Sequence, residues 1–140
     1  MDVHPNQGAG AVAFGMSMNE VRRALGNPTK EFVRSQYSPC VEWDYQGLGV
    51  NVIFDRRGAC AGVMLTPPSD PRLDSIPLLG IGAAAAWAAV RRLDPGAREE
   101  DGSLTSTLLG VSIYAPDVAE EPKEPGQSVL VFRSDYFELR

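Results

Sequence analysis

Leu48-Gly-Val-Asn-Val-Ile-Phe54 is the stretch that decides the fold, because it returns, shortened and altered, as Leu109-Gly-Val-Ser-Ile-Tyr-Ala115. In the first copy Val50, Val52 and Phe54 share one face of a strand, with Asn51 and Ile53 on the other. Each copy follows a helix-like segment carrying Val-Arg-Arg, at Val21-Arg22-Arg23 and at Val90-Arg91-Arg92. Helix then strand, read twice, suggests a chain of two related halves.

Working outward from the first copy, the upstream residues read as more strands and one helix. Val41-Glu-Trp-Asp-Tyr45 alternates, with Val41, Trp43 and Tyr45 on one face and Glu42 and Asp44 on the other. Glu31 to Tyr37 is a further strand candidate, followed by a turn at Ser38-Pro39. Ser17-Met-Asn-Glu20 has the form of a capping box, so a helix is expected there, with Met18, Val21 and Leu25 on its apolar side. Gly26-Asn-Pro28 ends it. Downstream, Asp55-Arg-Arg-Gly58 reads as a hairpin loop and Ala59 to Leu65 as the returning strand. Short glycine-bearing loops make an antiparallel meander the natural topology.

The second half repeats this order. Gly82 to Leu93 is alanine-rich and reads as a helix, with Ala83, Ala86, Trp87, Val90 and Leu93 as its apolar stripe. Arg98-Glu-Glu-Asp-Gly102 reads as a charged turn. Leu104 to Tyr114 reads as two strands, Pro116 to Gln127 as a loop, and Ser128 to Arg133 as a strong strand that Tyr136 and Phe137 pack back against. The expected organisation is a loose N-terminal arm over 1–13, a first helix-plus-sheet unit over 14–65, a proline-rich linker over 66–75, and a second, trimmed unit over 76–140. The fold class is α+β.

Composition limits the partners. At 140 residues with 44% hydrophobic content, the chain is large enough to fold around a core. Its net charge is −5. Nucleic acid and anionic membrane surfaces call for clustered positive charge, so neither is expected as a partner. The acidity is uneven: residues 1–70 carry 6 basic and 7 acidic side chains, residues 71–140 carry 7 and 11. An acidic second half reads either as charge that keeps the chain soluble or as a field that steers a basic partner. Cys40 and Cys60 are too few for a disulfide scaffold, and with one histidine they do not make a zinc site. They read as buried thiols. The N-terminus has neither the basic nor the apolar part of a signal peptide, so a cytoplasmic location is expected.

Phe14-Gly15-Met-Ser-Met-Asn-Glu20-Val21, Leu25-Gly26-Asn-Pro28, Trp43-Asp-Tyr45, Gly49-Val-Asn-Val-Ile-Phe54 and Gly58 together resemble the beta-lactamase inhibitor protein and SmpA/OmlA-like family. The resemblance covers residues 14–65 well and 80–133 weakly. It implies two repeats, each a short helix or helix pair packed on an antiparallel sheet. It also implies a binding scaffold whose open sheet face and loops hold another protein.

Catalytic chemistry has little to stand on. His4, the single histidine, lies in the expected arm with no nucleophile placed beside it. Glu42 and Asp44 form a same-face carboxylate pair, which on a strand reads as a partner-facing surface rather than an acid–base couple. Gly80-Ile-Gly82 lacks the strand that a dinucleotide turn requires. The chain is therefore expected to be a binding protein rather than an enzyme, with no metal and no cofactor. If Val41, Trp43, Tyr45, Val50, Val52, Phe54, Val111 and Ile113 face the helices, then Glu42, Asp44, Asn51, Ile53, Ser112 and Tyr114 face outward. The acidic segments Glu99-Glu100-Asp101 and Glu120-Glu121 would frame that face. The function expected is a cytoplasmic inhibitor, an immunity protein that plugs a basic toxin domain and works as a monomer or in a 1:1 complex. An envelope assembly factor of the small lipoprotein kind, or a small-ligand-binding domain, is the alternative.

Overall fold

The two glycines of the repeated stretch hold equivalent places in the backbone. Gly49 has φ 67° and Gly110 has φ 70°, both in the left-handed region that glycine adopts without penalty. A Cβ on Gly49 would lie 2.0 Å from the Thr66 carbonyl oxygen, and one on Gly110 would lie 2.6 Å from that of Phe132. Each glycine carbonyl accepts an N–H at 2.9 Å, Gly49 from Thr66 and Gly110 from Phe132. Both therefore start a strand at a point where the neighbouring backbone comes too close for any side chain.

The computed structural model describes residues 1–36 and 40–139. A helix, α1 (Met18–Leu25), precedes four strands: β4 (Lys30–Val33), β5 (Val41–Tyr45), β6 (Val50–Phe54) and β7 (Cys60–Leu65). A second helix, α2 (Ala83–Leu93), precedes β10 (Arg98–Glu100), β11 (Ser103–Ser106), β12 (Val111–Tyr114) and β13 (Ser128–Phe132). The eight strands form one antiparallel sheet in the order β10-β11-β12-β13-β7-β6-β5-β4. Each set of four is a meander, and the two meanders join through their last strands. That seam pairs Val129 with Leu65, Leu130 with Met64 and Val131 with Val63. The fold class is thus α+β, as the sequence pattern implies.

The register sorts the side chains into two faces. One carries Trp43, Tyr45, Val50, Val52, Phe54, Val63, Leu65, Leu104, Val111, Ile113, Val129 and Val131, which join the helices' Val21, Ala83, Ala86, Trp87 and Val90 in a single core cluster. Alternation along each strand produces this: every second residue is apolar and must leave water. Helix α1 is nucleated by the capping box, with the Ser17 hydroxyl accepting the Glu20 N–H at 3.2 Å and the Glu20 carboxylate accepting the Ser17 N–H at 3.3 Å. Its C-terminal Gly26 offers a carbonyl to the Tyr45 hydroxyl at 2.9 Å, which ties the helix end to the sheet. Helix α2 starts at Gly82, which has no capping side chain. The carbonyls of Pro122 and Glu124 take its first N–H groups instead, from Ala84 at 3.1 Å and Ala83 at 2.8 Å. Leu93, expected in the apolar stripe, is 40% exposed because the helix ends there and turns its last residue outward.

Three expectations about chain organisation are corrected. Residues 1–13 are not a loose arm: β1 (Val3–His4), β2 (Gly8–Ala9) and β3 (Val12–Ala13) form a small antiparallel sheet. Val3, Ala9 and Val12 are buried in the common core, which supplies the burial that its weak local pattern lacks. Residues 66–75 are not a plain linker: they contain β8 (Arg72–Leu73) and the turn to β9 (Ile76–Pro77), with which it pairs, and Leu73 is buried. Arg98–Glu100 is an edge strand rather than a turn. Only Asp101 (φ 51°) and Gly102 (φ 83°) turn, as in a two-residue hairpin loop with both angles positive. The expected first strand is shorter than its sequence pattern, running Lys30–Val33. Tyr37 and the Ser38-Pro39 turn lie outside the described residues. No helix among the described residues is long and apolar enough to cross a membrane.

Candidate functional site: the second face of the sheet

Opposite the helices, the register lays one row of side chains across all eight strands: Lys30, Asp44, Asn51, Met64, Leu130, Ser112, Thr105 and Arg98. Glu42, Ile53, Gly62 and Phe132 form a neighbouring row over the first half. Parity therefore places Glu42, Asp44, Asn51, Ile53, Ser112 and Tyr114 on this face, as the sequence alternation implies. What covers them differs between the halves.

Over the first half the row of Glu42, Ile53 and Gly62 is covered, while Asp44, Asn51 and Met64 beside it are half-buried. After β13 the chain turns back, and Tyr136, at the start of a short 3-10 turn, lays its ring over Gly62. A Cβ on Gly62 would meet that ring at 2.9 Å. Phe132, Tyr136 and Phe137 stack mutually, with Phe137 edge-on to Phe132 at 5.0 Å between centroids. Ile53, on the expected outward face, is consequently 3% exposed. Arg133 fixes the start of the return segment through Asp135 at 2.6 Å and Asp55 at 3.0 Å. Asp55 also closes the β6–β7 hairpin by accepting the N–H groups of Arg57 (2.9 Å) and Ala59 (3.0 Å). Burial alone would push the Asp55 carboxyl up, but the Ala59 N–H, Arg133 and the Arg57 N–H together hold it below its ordinary 3.8.

Glu42 is 4% exposed and held by Arg34 in a bidentate pair, both bonds 2.8 Å. Its charge is matched within the chain. Asp44 and Asn51 are half-buried neighbours, and Asn51, with its amide turned to donate, reaches Asp44 Oδ1 at 2.8 Å. Of these three predicted contact residues, Glu42 is charge-matched by Arg34, and Asp44 and Asn51 bond each other.

Over the second half the face is open. A groove of about 750 Å³ runs there, lined by Gly96, Arg98, Glu100, Asp101, Ser103, Thr105, Thr107, Ser112, Leu130 and Phe137. Its floor is the row Arg98, Thr105, Ser112, Leu130, with the Thr105 and Ser112 hydroxyls 2.8 Å apart. Of the residues expected at the site, the groove gathers Glu100, Asp101 and Ser112. Tyr114 is 39% exposed on the same face but does not line it. Glu99 falls on the other side of β10, where it pairs with Arg91 of α2. Glu120 and Glu121 belong to the loop that caps α2, away from the groove. Arg98, Ser103, Thr105, Thr107, Leu130 and Phe137 were not singled out as contact residues. Alternation of Arg98 with Glu100, in a segment read as a strand, places two of the lining residues on one face.

Away from the open face, Cys40, Cys60, Asp94 and Ser106 are buried. Burial pushes the Cys60 thiol up to about 12, far from a reactive thiolate. Asp94 caps the end of α2 through the Gly96 N–H (2.9 Å) and accepts the buried Ser106 hydroxyl (2.7 Å). No group of three or more His, Cys, Asp or Glu side chains among the described residues could hold a metal ion. No protein-family model matches the chain, and neither the curated proteins nor the solved structures contain a significant match to it.

Proposed function

We propose that this chain is a cytoplasmic protein-binding inhibitor, an immunity protein that neutralises a basic toxin domain by occluding its active site. The observation that carries the reading is the unequal covering of the sheet. One face is filled by helices and the return segment covers the Ile53–Gly62 part of the other, while its second half carries a polar groove whose Arg98, Glu100 and Asp101 enter no ion pair among the described residues. An antiparallel sheet with one solvated face is a rigid platform for recognition. The acidic balance of residues 71–140 supports a basic partner.

The resemblance to the beta-lactamase inhibitor protein and SmpA/OmlA-like family belongs to the same proposal. Helix followed by a four-stranded meander, twice, with Gly49 and Gly110 in matching places, supports two repeats joined by their last strands. In this reading the chain makes its contacts with the second repeat's sheet face, and Glu100, Asp101, Ser112 and Tyr114 contribute to them.

The test is affinity capture from the native host lysate at low and moderate salt, followed by mixing the purified partner with the chain. One stoichiometric basic protein whose toxic activity is lost at a 1:1 ratio is the expected result. Envelope proteins alone would favour an assembly role instead. A captured protein that stays active in the complex would overturn the inhibitor reading. A small polar ligand is the second reading, favoured by the groove's volume, which falls within the usual range for such sites; a compound that co-purifies at stoichiometric amounts would support it.

A further inference from the structure

The groove is graded in chemistry from end to end. At one end stand Gly96, Thr107 and the ring of Phe137, which is 47% exposed and rests on Phe132. In the middle Arg98 faces the paired hydroxyls of Thr105 and Ser112 and the aliphatic Leu130. At the other end are Glu100, Asp101 and Ser103. Among the described residues, Arg98, Glu100 and Asp101 enter no ion pair, whereas the carboxylates of Glu42 and Asp55 on the first half are matched by arginines. Unmatched charges of both signs, set two residues apart on one strand, are available to a ligand of complementary order.

We infer that the groove takes an extended protein segment with an apolar or aromatic side chain at the Phe137 end, an acidic one at Arg98 and a basic one at Glu100 and Asp101. The spacing follows from strand geometry. Along β13 the three zones lie at Phe132, which carries Phe137, at Leu130, in the row of Arg98, and at Ser128, in the row of Glu100; this spans about 13 Å at roughly 3.3 Å per residue, the distance from residue i to i+4 of an extended segment. Side chains at i, i+2 and i+4 all point to the same side, so one segment reaches all three zones. Phe137 supplies a stacking surface that costs little ordering, since Phe132 and Tyr136 already hold it. The charges at the other two zones select by sign. This rests on the protein-binding reading above and specifies what the partner presents.

The experiment is an NMR titration of the 15N-labelled full chain with acetyl-Phe-Ser-Glu-Ser-Arg-amide and with acetyl-Phe-Ser-Arg-Ser-Glu-amide, which exchanges the charges at fixed composition. The first peptide is expected to shift the amides of residues 96–107, Ser112, Leu130 and Phe137, and to bind about three- to tenfold more tightly than the second, as two exposed ion pairs allow. The Glu100→Gln, Asp101→Asn double variant and, separately, Arg98→Ala are each expected to shrink that preference, while Phe137→Ala weakens both peptides alike. Equal binding of the two peptides, or shifts mapping elsewhere, would overturn the inference. Groove amides that shift with protein concentration alone would overturn it too, by giving the groove to a second copy of the chain. Because the titration uses no native partner, its failure is separate from failure of the capture experiment.

Discussion

Gly49 and Gly110 are residues whose identity the backbone dictates. Each needs a positive φ and also leaves no room for a methyl group beside a neighbouring carbonyl. Gly58 has a φ of 78° but nothing within 4 Å of its Cβ position. Gly49→Ala and Gly110→Ala are therefore expected to cost about 2 kcal/mol or more each, and Gly58→Ala about 1 kcal/mol, from backbone strain alone. Urea denaturation of the three variants checks the order. Equal losses would mean that the close approaches relax without cost.

Asp55 carries a pH dependence whose sign is set by its partners. Its folded-state carboxyl lies below 3.8, so its stabilising contribution is full above that value and fades as pH falls through the folded-state value. Asp55→Asn is expected to be less stable than wild type at neutral pH, with the gap closing progressively below about pH 4. Urea midpoints measured between pH 2 and 7 test this, and a gap independent of pH would remove the charge from the explanation. Residue-scale reading of the sequence recovered the glycine repeat and the capping box, because both depend on neighbours a few positions away. It could not see that Asp55 meets Arg133, whose guanidinium arrives from 78 residues downstream.

At the scale of elements, the return segment after β13 decides which part of the sheet face is usable. Gly62 provides the flat seat, Tyr136 fills it, and Arg133 holds the turn. Tyr136→Ala is expected to lower stability by about 1–2 kcal/mol through lost apolar burial and to expose Ile53 and Phe132. Increased binding of a hydrophobic dye together with a reduced urea midpoint checks it; an unchanged midpoint would mean the ring contributes no net packing. Tyr136 and Phe137 were expected to pack back, and they do, but the strand pattern of Ile53 had it facing solvent. Alternation fixes the side of a sheet on which a residue lies and says nothing of what later crosses that side. The same limit explains Glu42, whose parity was legible and whose pairing with Arg34 was not.

For the whole molecule, continuity of the sheet outweighs the proline-rich break. The two meanders join through β7 and β13, and one core cluster includes Val21 and Trp43 from one half and Trp87 and Val131 from the other. The halves are therefore expected to unfold together. Trp43→Phe and Trp87→Phe each leave one tryptophan as a probe of one half, and their urea transitions are expected to coincide in shape and, after allowing for the substitutions themselves, in midpoint. A biphasic transition, or one half melting well ahead of the other, would divide the chain into two separately folding units.

By itself the sequence determined the class of the fold, the two helices, most strands and the two faces of the sheet. These follow from local periodicity, capping chemistry and glycine placement, which act over a few residues. Only the tertiary structure decided that residues 1–13 are built into the core and that the meanders meet through β7 and β13. It alone covered the Ile53–Gly62 part of the outer face and left a groove over the second half. Those outcomes depend on contacts between residues far apart in the chain, Tyr136 on Gly62 and Arg133 on Asp55 among them, for which no local pattern of residues carries a signal.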